Sequence, residues 1–299
     1  MAQIKLFIGY YGMNNIGDDL MIKVLYDSPS YVFLQGENTY DFIASEKQLI
    51  LTPKPLTKLF QKIVHLIVLK AKGCNQVVFG GGTQFSSFSK LFTQLDTFLV
   101  ILTCRMLNMR VTANAVGIGD LSKRNIFLIA AFKMMKQITV RDQTSSKKLT
   151  KVNIENKVVK DLVYSLDLVP LSVEKKYTLI TATGSVLKLN EKFTQNYFKF
   201  LETYIGEKEK NIAFCVFQSG EDDYLYEVLK KKYPNLERIE LDSSIEKIQE
   251  VFSKTKTVIG MRYHSLILAD MFDIPFKGFS YDDKVKDLCS LKNMPFHAT

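Results

Sequence analysis

Apolar and polar positions along this chain of 299 residues predict strands and helices in alternation. Short apolar runs, typical of buried strands, are separated by longer segments whose apolar residues recur at helical spacing. In the first half the predicted strands cover 4–10, 76–79, 111–116 and 137–140, and the predicted helices cover 18–26, 56–72, 88–108 and 122–136. Repeated strand-then-helix order predicts a parallel, doubly wound sheet that binds ligands at the carboxyl ends of its strands.

The second half repeats the same order. Its predicted strands cover 177–183, 212–218, 238–241 and 257–259, and its predicted helices cover 191–205, 224–232, 245–252 and 265–273. Between the halves, residues 158–176 combine proline with a run of charges, as linkers often do. We therefore expect the α/β class, with one Rossmann-like domain in residues 1–165, a second in residues 166–299, and a cleft between their strand ends.

Composition limits the classes of protein that remain. Hydrophobic residues make up 46% of the chain and charged residues 24%, which suits packed cores and argues against disorder. The spacing of the four cysteines fits neither a disulfide framework nor a CxxC motif, so we expect free thiols in a reducing compartment. Because the three histidines are widely separated, no metal site is predicted.

Neither the amino-terminal segment nor any apolar stretch predicts a targeting signal or a membrane span. The first 19 residues hold one lysine, a short apolar run and two aspartates, unlike a secretory signal. The most apolar stretches, 98–104 and 126–132, are far shorter than the ~18 residues that cross a bilayer. We expect a cytoplasmic protein.

The net charge of +9 comes entirely from the first half of the chain. Residues 1–170 hold 21 Lys and Arg against 12 Asp and Glu, whereas residues 171–299 hold 19 of each. An excess of positive charge on one domain is typical of proteins that face nucleic acid, a phosphorylated ligand or an anionic membrane leaflet. A lysine bias that only improves solubility explains the same numbers, so both interpretations stay open.

Two glycine-containing loops follow predicted strands of the first half. The loop at 9–19 reads GYYGMNNIGDD, and its backbone N–H groups suit an anion or sugar hydroxyls, although such turns often only connect. It matches neither the GxGxxG nor the Walker pattern. The loop at 79–85 reads FGGGTQF, and its three glycines favour unusual backbone angles or the close approach of a ligand.

Two arginines also follow predicted strand ends. Arg141 in TVRDQTS has a planar fork that suits a carboxylate or phosphate, and a helix-capping arrangement with Asp142 is the alternative. Arg262 and His264 in TVIGMRYHSLILADMFDIP precede an apolar helix. Together they offer a fixed cation, a titratable proton donor and free N–H groups at one turn, which makes it the most chemically loaded position in the sequence.

In this order and at these spacings, the four motifs resemble those of the polysaccharide pyruvyl transferase family. That family has a GN-x-GDE loop after the first strand, a GGG loop, a strand ending in R-D-x-x-S, and G-x-R-L-H-A followed by P and Y-x-x-K. The counterparts here are Asn15 to Asp19, Gly80 to Gly82, Arg141 and Asp142 with Ser145, Gly260 to Ser265, Pro275, and Tyr281 to Lys284. Four residues differ mildly from the family pattern, and these differences bear on the choice of acceptor. They are Asn14, Asp19, Tyr263 and Ser265.

The resemblance implies a fold similar to GT-B glycosyltransferases and a reaction that moves pyruvate from phosphoenolpyruvate onto a sugar as a cyclic ketal. His264 is then the candidate acid and Asp18 the candidate base. The donor would be bound by Arg141, Arg262 and Lys284, and the acceptor by Asn15, Gly81 and Gly82. No metal or cofactor is expected besides the donor. An acceptor carried on a polyprenyl diphosphate would bring the protein to the inner face of the membrane, where its basic half suits anionic lipid.

Other functions remain as alternatives. A GT-B-like glycosyltransferase that uses a nucleotide sugar would also place a basic residue at a helix of the second domain, so Arg262 suits both enzymes. Two arginines for a small anion, together with His264, favour phosphoenolpyruvate. A binding or scaffold module without catalysis belongs to a different class. Nucleic acid is not an expected partner, because the Lys and Arg residues are dispersed and no recognised binding module is present.

Overall fold

A computed structural model of the chain describes residues 3–85, 91–122, 124–184, 191–205 and 211–298. The chain divides into two units. The first contains Met1–Met13 and Asp18–Ser165, and the second contains Asn14–Gly17 and Leu166–Thr299. Each unit has one sheet of parallel strands with helices between them in the chain, which confirms the expected α/β class.

The sheet of the first unit has seven strands, and all their pairings are parallel. Its central strands are almost wholly apolar and buried, as expected where helices cover both faces of a parallel sheet. The strands are β1 (Lys5–Ile8), β2 (Tyr31–Leu34), β3 (Gln48–Ile50), β4 (Gln76–Gly80), β5 (Arg110–Val116), β6 (Gln137–Val140) and β7 (Lys157–Val158).

The strand order in this sheet is β3-β2-β1-β4-β5-β6-β7. Successive strands are therefore added toward one side of β1 up to β3 and toward the other side from β4 onward, so the strand order reverses between β1 and β4. In open α/β sheets, the loops that leave such a point diverge and open a crevice at the carboxyl ends of the strands. Both glycine-containing loops of the sequence, after β1 and after β4, flank this position.

The helices of the first unit lie close to the predicted ranges. Residues 88–90 of the predicted 88–108 helix, and residue 123 of the predicted 122–136 helix, fall outside the described residues. The helices are α1 (Ile16–Leu25), α2 (Pro55–Ala71), α3 (Leu91–Met106), α4 (Ile126–Met134) and α5 (Gln143–Thr150).

The second unit repeats the topology with six strands in the order β10-β9-β8-β11-β12-β13, so its reversal lies between β8 and β11. All these pairings are parallel. The strands are β8 (Tyr177–Thr181), β9 (Ile212–Val216), β10 (Glu237–Glu240), β11 (Thr255–Gly260), β12 (Phe276–Ser280) and β13 (Phe296–Ala298). The helices are α6 (Glu191–Tyr204), α7 (Asp223–Lys232), α8 (Ile245–Ser253), α9 (Tyr263–Met271) and α10 (Asp283–Leu291).

One boundary differs from its prediction in a way that matters for the chemistry. The helix predicted at 265–273 begins at Tyr263, with Arg262 in extended conformation at its N-cap, and it ends at Met271. Asp273 follows with a φ of 50°, in the left-handed region that a helix cannot continue through. His264 therefore lies within the first turn of α9 rather than in the loop before it.

Candidate active site

In the first unit, the loop after β1 and the glycine loop after β4 lie side by side. The Tyr11 hydroxyl donates to the carbonyl oxygen of Gly80 over 2.7 Å. The Asp18 carboxylate lies against Gly82, where an added Cβ would come within 2.8 Å of Asp18 Oδ1. Gly81 and Gly82 both have positive φ, 61° and 66°, a conformation that other residues rarely adopt. Glycine at these positions lets the loop fold closely over Asp18.

Asp19, a buried carboxylate, and Tyr40 hold the loop after β1 in place through hydrogen bonds. The Tyr40 hydroxyl donates to the Asp19 carboxylate and accepts from the Gly12 N–H over 2.8 Å. Burial raises the pKa of Asp19 to about 6, although the hydrogen bond from Tyr40 opposes the shift. Sequence reasoning included Asp19 in a motif but missed Tyr40, which lies 21 residues further along the chain.

Arg141 follows β6, and its guanidinium is buried against the glycine loop. Its Nη1 forms an ion pair with Asp161 at 3.2 Å, and its Nη2 donates to the Thr83 hydroxyl over 3.0 Å. Only 7% of Arg141 is exposed. Thr83 directly follows Gly82, so Arg141, Asp18, Gly81 and Gly82 border one loop of the first unit.

The residues after Arg141 organise the backbone around it. The Asp142 carboxylate accepts from the Ser145 N–H over 2.6 Å and so caps α5. The Ser145 hydroxyl in turn accepts from the Ile118 N–H over 2.9 Å, which ties α5 to the loop after β5. The capping interpretation therefore applies to Asp142, while Arg141 pairs with Asp161, a residue that the sequence analysis places only in the linker.

In the second unit, Arg262 contacts the loops that follow two neighbouring strands. Its guanidinium forms an ion pair with Asp222, and its Nη1 donates to Gln218 Oε1 over 3.2 Å. Its Nε lies 3.4 Å from the carbonyl oxygen of Ala182, just after β8. These contacts fix the arginine at the reversal point of the second sheet.

Asp222 holds Arg262 and the loop after β9 at the same time. Its Oδ2 accepts from the N–H groups of Phe217 and Gln218 over 3.0 and 2.9 Å, while Oδ1 faces Arg262. The side chain is fully buried, and burial raises the pKa of Asp222 against the opposing effect of Arg262. The sequence analysis missed Asp222; its signal is the GEDD turn directly after a predicted strand.

His264 is half-buried in the first turn of α9 and packs against Gly17. A Cβ added to Gly17 would lie 1.8 Å from His264 Nδ1, so only glycine leaves room for the imidazole. The Asn15 side-chain oxygen accepts from the Gly17 N–H over 3.2 Å and keeps this short segment in place. Gly17 and Asn15 belong to the second unit, although Asn15 is assigned to the first domain in the sequence analysis.

The remaining parts of the turn are tied to adjacent strands. The Ser265 hydroxyl bonds Thr181 Oγ1 and the carbonyl oxygen of Arg262, each over 2.6 Å, and so joins α9 to β8. Lys284 lies in the first turn of α10, after the strand next to β11, with its Nζ 2.8 Å from Asp282 Oδ2. Arg262, His264 and Lys284 thus occupy one edge of the second sheet.

Comparison with protein families identifies the chain. The model of a family described as polysaccharide pyruvyl transferase matches residues 15–283. The chain belongs to the polysaccharide pyruvyl transferase family. The match confirms the resemblance that the motifs indicate and extends over the named site residues except Lys284, one position beyond its end. A comparison with curated sequences finds no match.

Solved structures resemble this pyruvyl transferase family member in fold. The UDP-GlcNAc 2-epimerase of Methanocaldococcus jannaschii has a TM-score of 0.61 at 12% identity, covering 100% of this chain and 89% of its own. The Neisseria meningitidis UDP-GlcNAc 2-epimerase bound to UDP-GlcNAc has a TM-score of 0.63 at 10% identity, with coverages of 98% and 87%. The glycosyltransferase SnogD of Streptomyces nogalater has a TM-score of 0.53 at 10% identity, with coverages of 100% and 87%. At such identities the likeness shows the fold alone, two parallel-sheet domains as in GT-B-like enzymes.

In this family member, the turn before α9 combines three properties that an anionic ligand requires. The amino end of the helix presents N–H groups and the positive end of the helix dipole. Arg262 adds a fixed charge at the N-cap, and His264 adds a titratable group two residues later, within the first turn. Within the described ranges no three His, Cys, Asp or Glu side chains converge on a metal position, and no helix there is long and apolar enough to span a bilayer.

Proposed function

We propose that the protein transfers pyruvate from phosphoenolpyruvate to a sugar of a surface-polysaccharide precursor, forming a cyclic ketal and releasing phosphate. Family membership supports a pyruvyl transfer in polysaccharide synthesis. The observation that carries the choice of donor is the Arg262–His264 turn at the amino end of α9. A fixed cation, helix N–H groups and a proton donor together suit a small molecule that carries both carboxylate and phosphate.

Arg262, Lys284 and Arg141 are assigned to the carboxylate and phosphate of the donor. Each cation has a carboxylate beside it, respectively Asp222, Asp282 and Asp161. Such partners orient the cations before the donor arrives, which reduces the entropic cost of binding. Arg262 is additionally held by Gln218, so its guanidinium plane is fixed in two directions.

His264 is assigned the protonation of the donor. A proton added to the methylene carbon of phosphoenolpyruvate turns it into a methyl group and leaves the adjacent carbon electrophilic. That carbon then bonds the oxygen of a first sugar hydroxyl, whose proton passes to a base, assigned to Asp18. The bond to phosphate breaks with its electron pair on the leaving oxygen, and a second hydroxyl closes the ketal. The proton that Asp18 accepts from the first hydroxyl passes to the leaving phosphate, and the proton of the second hydroxyl restores His264.

The acceptor is assigned to Asn15, Gly81, Gly82 and Asp18. Gly81 and Gly82 have no side chains, so a sugar can approach the backbone N–H and C=O groups of this loop closely. An acceptor carried on a polyprenyl diphosphate or a nucleotide suits the positive charge of the first half of the chain. No cofactor enters the proposal besides the donor.

A nucleotide-sugar transferase is the second candidate, because the related fold of the Neisseria meningitidis epimerase holds UDP-GlcNAc. Phosphorus NMR separates the two. The protein is incubated with phosphoenolpyruvate, and in parallel with UDP-GlcNAc, against a panel of lipid-linked and free saccharides. We expect phosphoenolpyruvate to disappear and inorganic phosphate to form only when an acceptor is present. Acceptor-dependent release of UDP with phosphoenolpyruvate untouched would replace the proposal with the second candidate.

A further inference from the structure

Helix α2 exposes an apolar face in addition to the one that it buries. Its inner face packs Leu66 and Leu69 into the core of the first unit, and Lys62 pairs with Asp96 of α3 over 2.6 Å. The opposite side, here called the outer face of α2, carries five apolar side chains with large exposed fractions, Leu56 (74%), Phe60 (68%), Val64 (40%), Ile67 (53%) and Val68 (43%).

These five positions form one continuous stripe. Steps of three or four residues return to the same side of a helix, so the stripe follows α2 over most of its ~25 Å length. A helix on the surface ordinarily presents polar residues to water. Isolated exposed apolar side chains are common, but a continuous stripe marks an interaction surface.

Two neighbouring helices of the same unit also expose an apolar side chain. α3 packs against both α2 and α4. Near their amino ends, Leu91 of α3 and Ile126 of α4 are 66% and 63% exposed. Helices that connect parallel strands run opposite to them, so the amino ends of all three helices lie at the carboxyl edge of the sheet. Asp18 and the glycine loop lie at that same edge.

The charge around the outer face of α2 has one sign. Residues 54–72, which are α2 and its two caps, contain five lysines and no Asp, Glu or Arg, and of these lysines Lys62 is buried and paired with Asp96. Exposed Lys54 and Lys72 lie at the two caps of α2. A second copy of the chain seated on this face would bring lysines together without a carboxylate on the helix to pair with them, which is unfavourable. Anionic lipid headgroups offer the complementary charge, and their acyl boundary accepts the apolar stripe.

We infer that the outer face of α2, with Leu91 and Ile126, docks on an anionic bilayer surface. The helix lies parallel to the membrane, its apolar side chains enter the headgroup boundary, and its lysines contact lipid phosphates. The inference is independent of the proposed function, since lipid binding is measured without donor or acceptor.

Sedimentation with vesicles tests the docking. We expect the wild-type protein to bind vesicles of phosphatidylcholine with phosphatidylglycerol far better than phosphatidylcholine alone, and to dissociate as salt is added. The variant Phe60→Ser/Ile67→Ser should bind at least tenfold more weakly because it interrupts the stripe. Lys54→Gln/Lys72→Gln should also lose roughly tenfold, and only on anionic vesicles. Two matched controls, Leu291→Ser on α10 and Lys256→Gln in β11, should bind like wild type.

A fluorescence measurement tests the docking without relying on the loss of binding in these substituted variants. The chain has no tryptophan, so Phe60→Trp introduces a single probe into the stripe. Its emission should shift to shorter wavelength on anionic vesicles, whereas Leu291→Trp should not shift. Unchanged Phe60→Trp emission, or undiminished sedimentation of the serine variant, overturns the inference. A dimer in solution that Phe60→Ser/Ile67→Ser abolishes also overturns it and assigns the stripe to a second copy.

Discussion

Both units have an ion pair between an arginine and an aspartate at a strand end, but the surroundings of the two pairs differ. In each, an arginine just after a strand pairs with a buried aspartate, Arg141 with Asp161 and Arg262 with Asp222. The Arg141 side chain is 2% exposed and closes a loop of its own unit, whereas the Arg262 side chain is 12% exposed and stands at a helix N-cap. An ion pair orients a cation in both cases, but only the second arrangement leaves it beside a helix dipole and a histidine. We therefore expect the protonation of the donor to depend on the second unit, where Arg262 and His264 share one turn.

The largest effect is expected at His264. The variant His264→Ala should lower phosphate release from phosphoenolpyruvate about a thousandfold because the methylene carbon loses its proton donor. Calorimetric binding of phosphoenolpyruvate should stay near that of wild type, since Arg262 remains. His297→Ala in β13 is the control and should be active. Full activity of His264→Ala would remove the chemical distinction between the two units.

The buried ion pairs give the next effect. The variant Asp161→Asn should lower the free energy of unfolding by about 3 kcal/mol, because the buried Arg141 loses its nearer countercharge and keeps only the more distant Asp142, 3.9 Å from its Nε. Asp222→Asn should cost less, about 2 kcal/mol, since Arg262 keeps Glu221 at 3.6 Å. Urea denaturation measures both. The reverse order would mean that Arg262, not Arg141, depends more on its carboxylate.

Gly17 tests whether the position of the imidazole matters. The variant Gly17→Ala places a methyl group on His264 Nδ1, and the displaced ring should reduce turnover about a hundredfold. Stability should change little, since alanine favours a helix. In a double-mutant cycle, Gly17→Ala should cost nothing further once His264 is alanine. An additive effect would show that Gly17 acts through something other than His264.

Exchanging each arginine for lysine compares the two cations directly. Arg262→Lys should raise the KM for phosphoenolpyruvate about thirtyfold, because lysine lacks the planar fork that bonds two oxygens at once. Arg141→Lys should raise it by a smaller factor and mainly lower the free energy of unfolding. Steady-state kinetics beside urea denaturation separates the two effects. Equal increases in KM would make Arg141 an equal partner in donor binding.

The smallest effect concerns pH and the first unit. The pKa of Asp19 is raised to about 6, so folding favours its protonated form. That contribution is complete below about pH 4 and is lost as the pH rises to about 6. Asp19→Asn keeps an acceptor for Tyr40 and should therefore stabilise the protein at pH 7 by about 2 kcal/mol, with no gain at pH 4. Thermal unfolding across this range checks the slope, and a pH-independent difference would contradict the assignment.

The strands that the sequence predicts best are those with long apolar runs bounded by polar turns. The range 137–140 agrees with β6 to the residue, and 76–79 misses only the last residue of β4. No element is predicted between 27 and 55, where β2 and β3 lie. β2 is as short as β6 and wholly apolar, so its signal is present in the sequence but is not used in the prediction, whereas β3 has three partly exposed residues, too few for periodicity to separate from a loop.

The candidate site residues also fall into two groups, those that a sequence motif reveals and those that only the fold brings together. Arg262 and His264 are neighbours in the sequence, so a motif reveals them. Asp222 and Asp161 are 40 and 20 residues from the arginines that they hold, and only the folded sheet brings them together. The contact of Gly17 with His264 spans most of the chain, which is why the glycine carries no signal of its purpose in the sequence alone.

The assignment of Asn14–Gly17 to the second unit has a consequence for how the polypeptide matures. Asn15 pairs with Gln218, and the Ile16 N–H donates to the Phe217 carbonyl oxygen over 2.9 Å. These four residues are synthesised before the strand ends that receive them, which follow about 200 residues later in the chain. Residues 166–299 therefore do not form the whole second unit by themselves, because the unit also needs Asn14–Gly17. A gene cut after residue 165 would separate Asn14–Gly17 from the rest of the second unit.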